Sequence, residues 1–530
     1  MSIVRSAVAG RPSRSRLPRA AVSAWGPALA GGAIVVVLWI VGGKQGWGSG
    51  MIVTPSEALR PMLGDSRDVY VRATRATAWE ATRGLVIGSV LAIVAAAVAA
   101  AVPSLRRGIG RLAAIANAAP WVAVAPCLLV VLGRGRGPTA VAAIAVFFYV
   151  FVATSVGLAA APRATHDVLT SLGAPRRLRL FALQVPTSLP SIVDGLKLAA
   201  PAALAGAIFG EWYGAERGLG VLLISGMQSG RAERLWAASL LSAGCGLLAF
   251  AALALVRRLL VRRYGALVAQ TEPTSRRTAS TAARVLTEVV TSAAIAALLV
   301  LAWYTWIETA DVSPLVVPRP SRVWSDLTES PGEYVSAALA TLGTAAIALL
   351  IGVCFGIAVA VAAARVRTFA GAAVPVIVVM AATPLVALFP LFARIFGYAP
   401  GTVRVLAATM VFFPVFVYTR SGLTAPHGAA EDVVGALGGS SWSRFRLLTL
   451  PGAVPHVASG IRIAAGSAVI AAVVGESLIG RHGLGVEFSA AYRNLELPRA
   501  FGAAIVIIVV SVAVFAAAGA AERVVHARWT

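Results

Sequence analysis

Asp167-Val-Leu-Thr-Ser-Leu-Gly173-Ala-Pro-Arg-Arg-Leu-Arg-Leu-Phe181-Ala-Leu-Gln-Val-Pro186-Thr-Ser-Leu-Pro190 has a counterpart 265 positions on. That counterpart reads Asp432-Val-Val-Gly-Ala-Leu-Gly438-Gly-Ser-Ser-Trp442-Ser-Arg-Phe445-Arg-Leu-Leu-Thr-Leu-Pro451-Gly-Ala-Val-Pro455. The shared positions are Leu172-Gly173 with Leu437-Gly438, Pro186 with Pro451, and Pro190 with Pro455. The same offset then pairs Gly195 with Gly460, Lys197 with Arg462, Gly210-Glu211 with Gly475-Glu476, and Gly218-Leu219-Gly220-Val221 with Gly483-Leu484-Gly485-Val486. A register held across so many special residues means one module, duplicated and fused.

Composition fixes the solvent of that module. Hydrophobic residues make up 58 % of the 530 and charged residues 13 %, with a mean hydropathy of +0.82. A soluble domain carries roughly 25 % charged residues. Runs such as 85–102 and 345–364 are long enough to cross a hydrocarbon core of roughly 30 Å as helices. They are continuous rather than alternating, which excludes a strand barrel. The chain reads as an all-α polytopic membrane protein.

The net charge of +24 does not point to nucleic acid. Arginines cluster between apolar runs: Arg106, Arg107 and Arg111; Arg176, Arg177 and Arg179; Arg257, Arg258, Arg262 and Arg263. That is the positive-inside distribution, and no aromatic-interleaved basic domain accompanies it. Cys127, Cys245 and Cys354 have no metal-like spacing and read as small hydrophobes.

Each half offers six spans. They fall near 27–43, 78–102, 112–133, 138–160, 194–213 and 236–258, then near 287–307, 340–363, 372–396, 400–420, 459–479 and 500–520. The division follows as a basic cytoplasmic leader (1–25), a first repeat (26–261), a cytoplasmic linker (262–284) and a second repeat (285–530). An even number of spans per half inserts both copies in the same orientation, a parallel repeat of two six-helix units. Counting from an internal N-terminus puts both termini and the strong arginine clusters in the cytoplasm. Arg134 and Arg136, and Arg60, Arg67, Arg72 and Arg75, break that pattern on the outer side, partly offset by Glu57, Asp65 and Asp68. Gly84/Gly88 and Gly352/Gly356 lie in matching second spans and fit close helix packing.

The repeated stretch falls on the cytoplasmic loop between the fourth and fifth spans. It reads as a short helix broken at glycine, a basic and aromatic second segment, and prolines that end it ahead of the next span. At these residues the chain resembles the permease subunit of bacterial ABC importers, whose loop has the pattern E-A-A, three residues, G, then a run ending in L-P. The branch it resembles most handles nitrate, sulfonate, taurine and bicarbonate.

The resemblance covers nearly all of both halves and implies a type I importer fold of about 12 spans. In that family the loops are coupling helices seated in a groove of the ATPase. Carried over, Asp167 and Asp432 stand at the family's Glu. Leu172-Gly173 and Leu437-Gly438 form the break, Leu180 and Phe445 hold the usual aromatic position, and Pro186, Pro190, Pro451 and Pro455 end the element. In the first half the aromatic is displaced to Phe181 and Pro175 is inserted after Gly-Ala, so that loop is expected to dock less tightly. The implied partners are two copies of an ATPase, an extracytoplasmic binding protein and the lipid bilayer of a bacterial plasma membrane.

No phosphate-binding G-x-x-x-x-G-K-[ST] occurs, and Lys44 and Lys197 are the only lysines. ATP and magnesium are therefore expected on the partner, with no cofactor or metal on this chain and no enzymatic activity. Glu211 and Glu476, near membrane depth, are candidates for the pathway or its gate, with Arg234 and Arg499 as partners. The alternative is an interfacial acid paired to Arg217 or Arg481. A secondary carrier with a six-plus-six repeat is the competing class, disfavoured because the apolar runs hold almost no charge. A membrane-embedded enzyme lacks the polar cluster it needs.

Overall fold

The computed structural model describes residues 19–102, 135–160, 163–268, 300–309, 317–425 and 429–529, except residue 65, with scattered positions between 108 and 133 and between 294 and 298. Every regular element among them is helical. In the first half these are α1 (Arg19–Lys44), α2 (Pro55–Leu63), α3 (Arg67–Ala101), α4 (Gly137–Ala159), α5 (Val185–Trp212), α6 (Leu219–Ser229) and α7 (Ala232–Val268). In the second they are α8 (Pro320–Glu329), α9 (Pro331–Arg365), α10 (Arg367–Ala382), α11 (Phe389–Phe396), α12 (Pro400–Thr424), α13 (Leu450–Ile479), α14 (Leu484–Arg493) and α15 (Leu497–Trp529). Eight helices among the described residues are long and apolar enough to span a membrane. Most of the expected span at 112–133, and the first part of that at 287–307, lie outside the described residues.

One expected span is not straight. Within 372–396 the chain bends by 91° between α10 and α11. The break falls at Thr383-Pro384, where Thr383 is extended (φ −81°, ψ 130°). A proline excludes its predecessor from the helical region, so the helix must stop there.

Small residues set how closely the spans approach. A Cβ on Gly88 would sit 2.3 Å from the Ala143 carbonyl oxygen, and one on Gly352 would sit 2.8 Å from that of Ala408. With no hydrophobic drive between helices in lipid, such backbone approach supplies the packing energy. The two helices match at an offset of 264: Tyr70, Ala73, Thr77, Ala81, Gly88, Ala96 and Ala99 answer to Tyr334, Ala337, Thr341, Ala345, Gly352, Ala360 and Ala363, all buried. Gly84 therefore corresponds to Ala348 and Gly88 to Gly352. All four glycines of the pairs Gly84/Gly88 and Gly352/Gly356 are buried on these matching helices, one turn apart in register.

The halves interlock. Helix α1 packs on α10 of the other half, with Gly31 against Ala372 and Gly371 against Pro27. Ser239 on α7 donates to the Ala387 carbonyl at 3.2 Å, between α10 and α11. Tyr213, at the end of α5, meets Tyr492 of α14 edge-on at 5.9 Å. Each half repeats one internal clasp: Trp39 stacks on Trp236 at 5.0 Å, and Trp303 on Phe501 at 5.6 Å.

Candidate functional site: two matched loops and two buried acids

Both loops are built on one backbone plan. A short helix, Arg163–Ser171 in the first half and Ala429–Ala436 in the second, ends at a glycine with positive φ: Gly173 at 71° and Gly438 at 72°. The N–H of Ala174 donates to the Leu169 carbonyl at 2.9 Å and that of Gly173 to Thr170 at 3.0 Å. Gly439 to Val434 at 2.9 Å and Gly438 to Gly435 at 3.1 Å repeat the arrangement. This crossed pair of bonds around a left-handed residue is a Schellman turn, and only glycine adopts that backbone without penalty. The turn projects Leu172 (75 % exposed) and Leu437 (81 % exposed) away from the body of the protein. Asp167 and Asp432 lie exposed on the helix before it.

The prolines do not end the second segment, contrary to expectation. Arg176–Arg179 runs into a π-turn, Leu180–Gln184, and directly into α5; Ser441–Arg444 runs through a second π-turn, Phe445–Thr449, into α13. In each, the residue before proline donates five back, Val185 to Leu180 and Leu450 to Phe445. The wider turn makes room for the rings of Pro186 and Pro451, which would strain an ordinary turn. Pro190 and Pro455 lie inside the same helices. Each loop is thus one stiff lever with its spanning helix.

The loops differ at their tips. Pro175 is not an insertion: it stands in the register of Ser440, whose hydroxyl accepts from the Ser443 N–H at 3.2 Å and caps the second segment. Trp442 and Phe445 stack at 5.9 Å, and the Arg365 guanidinium lies over both rings at 4.7 and 3.7 Å. The first loop has Arg177 and Leu180 at those positions, and Phe181 is 68 % exposed.

Glu211 and Glu476 are buried, 1 % and 3 % exposed. Glu211 accepts from the Thr77 hydroxyl at 2.6 Å and from the Gly220 N–H at 2.6 Å, and Thr77 in turn accepts from the Leu219 N–H at 2.8 Å. Glu476 repeats this with Thr341 (2.8 Å) and Gly485 (3.2 Å), and Leu484 donates to Thr341 at 2.9 Å. Helices α6 and α14 begin at glycines that have no side chain to cap them, leaving N–H groups unpaired at a buried helix start. The Thr–Glu pair supplies that cap from two other helices.

The same lock explains the glycine motif. A Cβ on Gly218 would lie 2.1 Å from the Glu211 carboxyl carbon, and one on Gly483 2.3 Å from a Glu476 oxygen. Gly220 and Gly485 press on the carbonyls of Ile208 and Val473 at 2.4 and 2.2 Å by the same measure. Glu80, on α3, lies beside Glu211; the second half has Thr344 in that register.

Neither expected set of partners for the two acids forms. Arg234 donates to Ser225 at 3.4 Å. Arg499 pairs with Glu487 at 3.0 Å and with Glu333, tying α15 to α14 and α9. Arg217 and Arg481 are exposed and in no ion pair among the described residues. The Thr77 and Thr341 repeat was the sequence signal for this site, and it lies more than 130 positions from the acids.

The family described as "Binding-protein-dependent transport system inner membrane component" matches residues 88–265 and again residues 352–529. The chain belongs to this family. This binding-protein-dependent permease is similar to the formylaminopyrimidine transport permease protein ThiX of Halalkalibacterium halodurans, 27 % identical over 35 % of this chain and 75 % of that one. It is similar to the riboflavin transport system permease protein RibX of Chloroflexus aurantiacus, 26 % identical over 44 % of this chain and 87 % of the relative. It also resembles the taurine transport system permease protein TauC of Escherichia coli, 29 % identical over 36 % and 71 %. Most of each relative maps onto less than half of this chain, as two fused modules require. The chain is an ABC-transporter permease component, a multi-pass membrane protein that works with an ATPase and a substrate-binding protein rather than an enzyme itself.

Proposed function

We infer that this single chain supplies both halves of the translocation pathway of an ATP-driven importer in a bacterial plasma membrane, with both termini in the cytoplasm. Two copies of one ATPase, which carry the ATP and magnesium, receive the two loops: Asp167 to Pro190 and Asp432 to Pro455. Leu172 and Leu437 enter the partner, while the glycine turns and π-turns transmit its closure to α5 and α13. The observation that carries this reading is the pair of identical loop backbones, each continuous with a spanning helix and each presenting a bare leucine. A binding protein delivers cargo at the opposite face.

The cargo is a small solute: a sulfonate, taurine or nitrate-like anion, or a thiamine-precursor-like compound, with taurine and formylaminopyrimidine named for two of the relatives. Selectivity resides largely in the binding protein. Uptake into vesicles carrying the chain, its ATPase and the binding protein tests the reading. Accumulation that needs ATP and survives collapse of the proton gradient supports it. Accumulation that runs on the gradient alone overturns it in favour of a secondary carrier.

A further inference from the structure

Two of the arginines that violate the charge rule, Arg72 and Arg75, meet a third, Arg217, at one feature. Arg72, Arg75 and Arg217 line a cleft of about 720 Å³ together with Ala76, Trp79 and Thr82. None of the three is in an ion pair among the described residues, although Asp68 and Glu216 lie close in sequence. Glu80 is turned to the other side of α3, toward Glu211. The cleft therefore presents three exposed positive charges, none of them in an ion pair among the described residues.

Its height in the bilayer is set by helix geometry. Counting back from Ala99, near the end of α3 at Ala101, twenty residues at 1.5 Å each reach Trp79 after about 30 Å, the thickness of the hydrocarbon core. Trp79 is 57 % exposed and carries Arg83 over its ring at 4.7 Å, as an interfacial tryptophan does. Arg75 and Arg72 stand one and two turns beyond, at the level of headgroup phosphates. The start of α3 lies beside the end of α5, so this is the face opposite the coupling loops.

We propose that this cleft binds the phosphate of one anionic phospholipid in the leaflet opposite the coupling loops, with an acyl chain running down past Trp79 and Thr82. The guanidiniums are opposite in charge to a phosphate and match it in hydrogen-bond geometry. The cleft runs lengthwise along about 15 Å of α3 from Arg72 to Thr82, the path of a lipid chain, whereas a protein arriving from above would meet only the first turn. The second half has Ser336, Leu339, Gly343 and His482 at the corresponding positions. The site is therefore single, one per chain, where a permease of two identical subunits would hold two or none. Which leaflet this is follows from the proposed orientation; the site itself does not depend on it.

Native mass spectrometry of the full chain, released from mild detergent with equal phosphatidylglycerol and phosphatidylcholine added, tests the proposal. The expected result is one phosphatidylglycerol retained per chain in preference to phosphatidylcholine. Retention should weaken about five-fold for each of Arg72→Gln, Arg75→Gln and Arg217→Gln. Arg60→Gln, an exposed arginine outside the cleft, should leave it unchanged; all four side chains are exposed, so the fold is not at stake. Equal retention of both lipids, or no effect of the three substitutions, overturns the proposal. Displacement of the lipid by millimolar inorganic phosphate would make this a free-anion site instead. Loss of binding-protein docking with lipid retention intact would make it a protein contact.

Discussion

Thr77 and Glu211, 134 positions apart in sequence, are joined by a hydrogen bond of 2.6 Å, and Thr341 and Glu476 repeat it at 2.8 Å. Each pair closes a triangle with the first N–H groups of a short helix. Three helices of each half are thereby held at one point, at the end of the bundle away from the coupling loops. The lock gives the Gly-Glu and Gly-Leu-Gly motifs a single physical reason.

Removing the hydroxyl tests the lock directly. Thr341→Val keeps the shape but leaves the Leu484 N–H unpaired in a buried place and removes one of the two donors to Glu476 Oε2. An unmade buried hydrogen bond costs about 1–3 kcal/mol. The purified chain should melt several degrees lower, and Thr77→Val should behave alike. Thr341→Ser, which restores the hydroxyl, should recover most of the loss in a thermal-melting series.

The glycines under the acids should be less forgiving than glycines elsewhere. Gly218 has φ 144° and Gly483 φ 125°, a region almost reserved for glycine, and a Cβ at either would press on the carboxyl group. Strain alone costs of order 1–3 kcal/mol. Gly218→Ala and Gly483→Ala should sharply lower the yield of folded protein. Gly343→Ala, on α9 with nothing within 4 Å, should leave the yield unchanged or slightly raised.

The two coupling loops should respond differently. Arg365 lies over Trp442 and Phe445 and holds them in place, and the first half has Ala101 in that register. A cation–π contact at an exposed site contributes about 0.5–1 kcal/mol. Arg365→Ala should weaken ATPase binding a few-fold through the second loop only. Leu172→Asp and Leu437→Asp should each abolish one contact without moving the melting temperature, read by co-purification.

One pH effect is expected outside the spans. The Thr54 backbone N–H, and after it the Thr54 side chain, hold the Glu57 carboxyl below the usual glutamate range, closing a capping box at the start of α2. The folded value is depressed, so the contribution is present above the unfolded value near 4.5 and is lost as pH falls below it. Amide exchange at residues 55–63, corrected for the intrinsic rate, should stay level from pH 7 to pH 5 and speed up as pH falls below 4.5. Glu57→Gln should remove that pH dependence.

The duplication, the helical membrane class and the glycine break of each loop could be read from sequence, because each leaves a residue type that physics demands at a fixed spacing. The continuation of the loops through Pro186 and Pro451 could not. Proline normally signals a stop, and the π-turn that absorbs it has no residue signature. The break at Thr383-Pro384 was legible in principle, but it was hidden inside an apolar run. The partners of Glu211 and Glu476 were missed because nearby arginines are obvious in sequence, while a threonine on a distant helix is not. Only the 264-residue register of α3 and α9 exposes it.

The most direct test of the central claim is the protein that accompanies the full chain when it is purified from its own membranes in mild detergent. Recovery of an ATPase carrying a phosphate-binding loop, at two copies per chain, is the predicted result. One copy should be lost on Leu437→Asp and both on the double variant with Leu172→Asp. Recovery of no ATPase under conditions that keep the chain folded, or undiminished recovery with the double variant, would contradict the assignment of these loops.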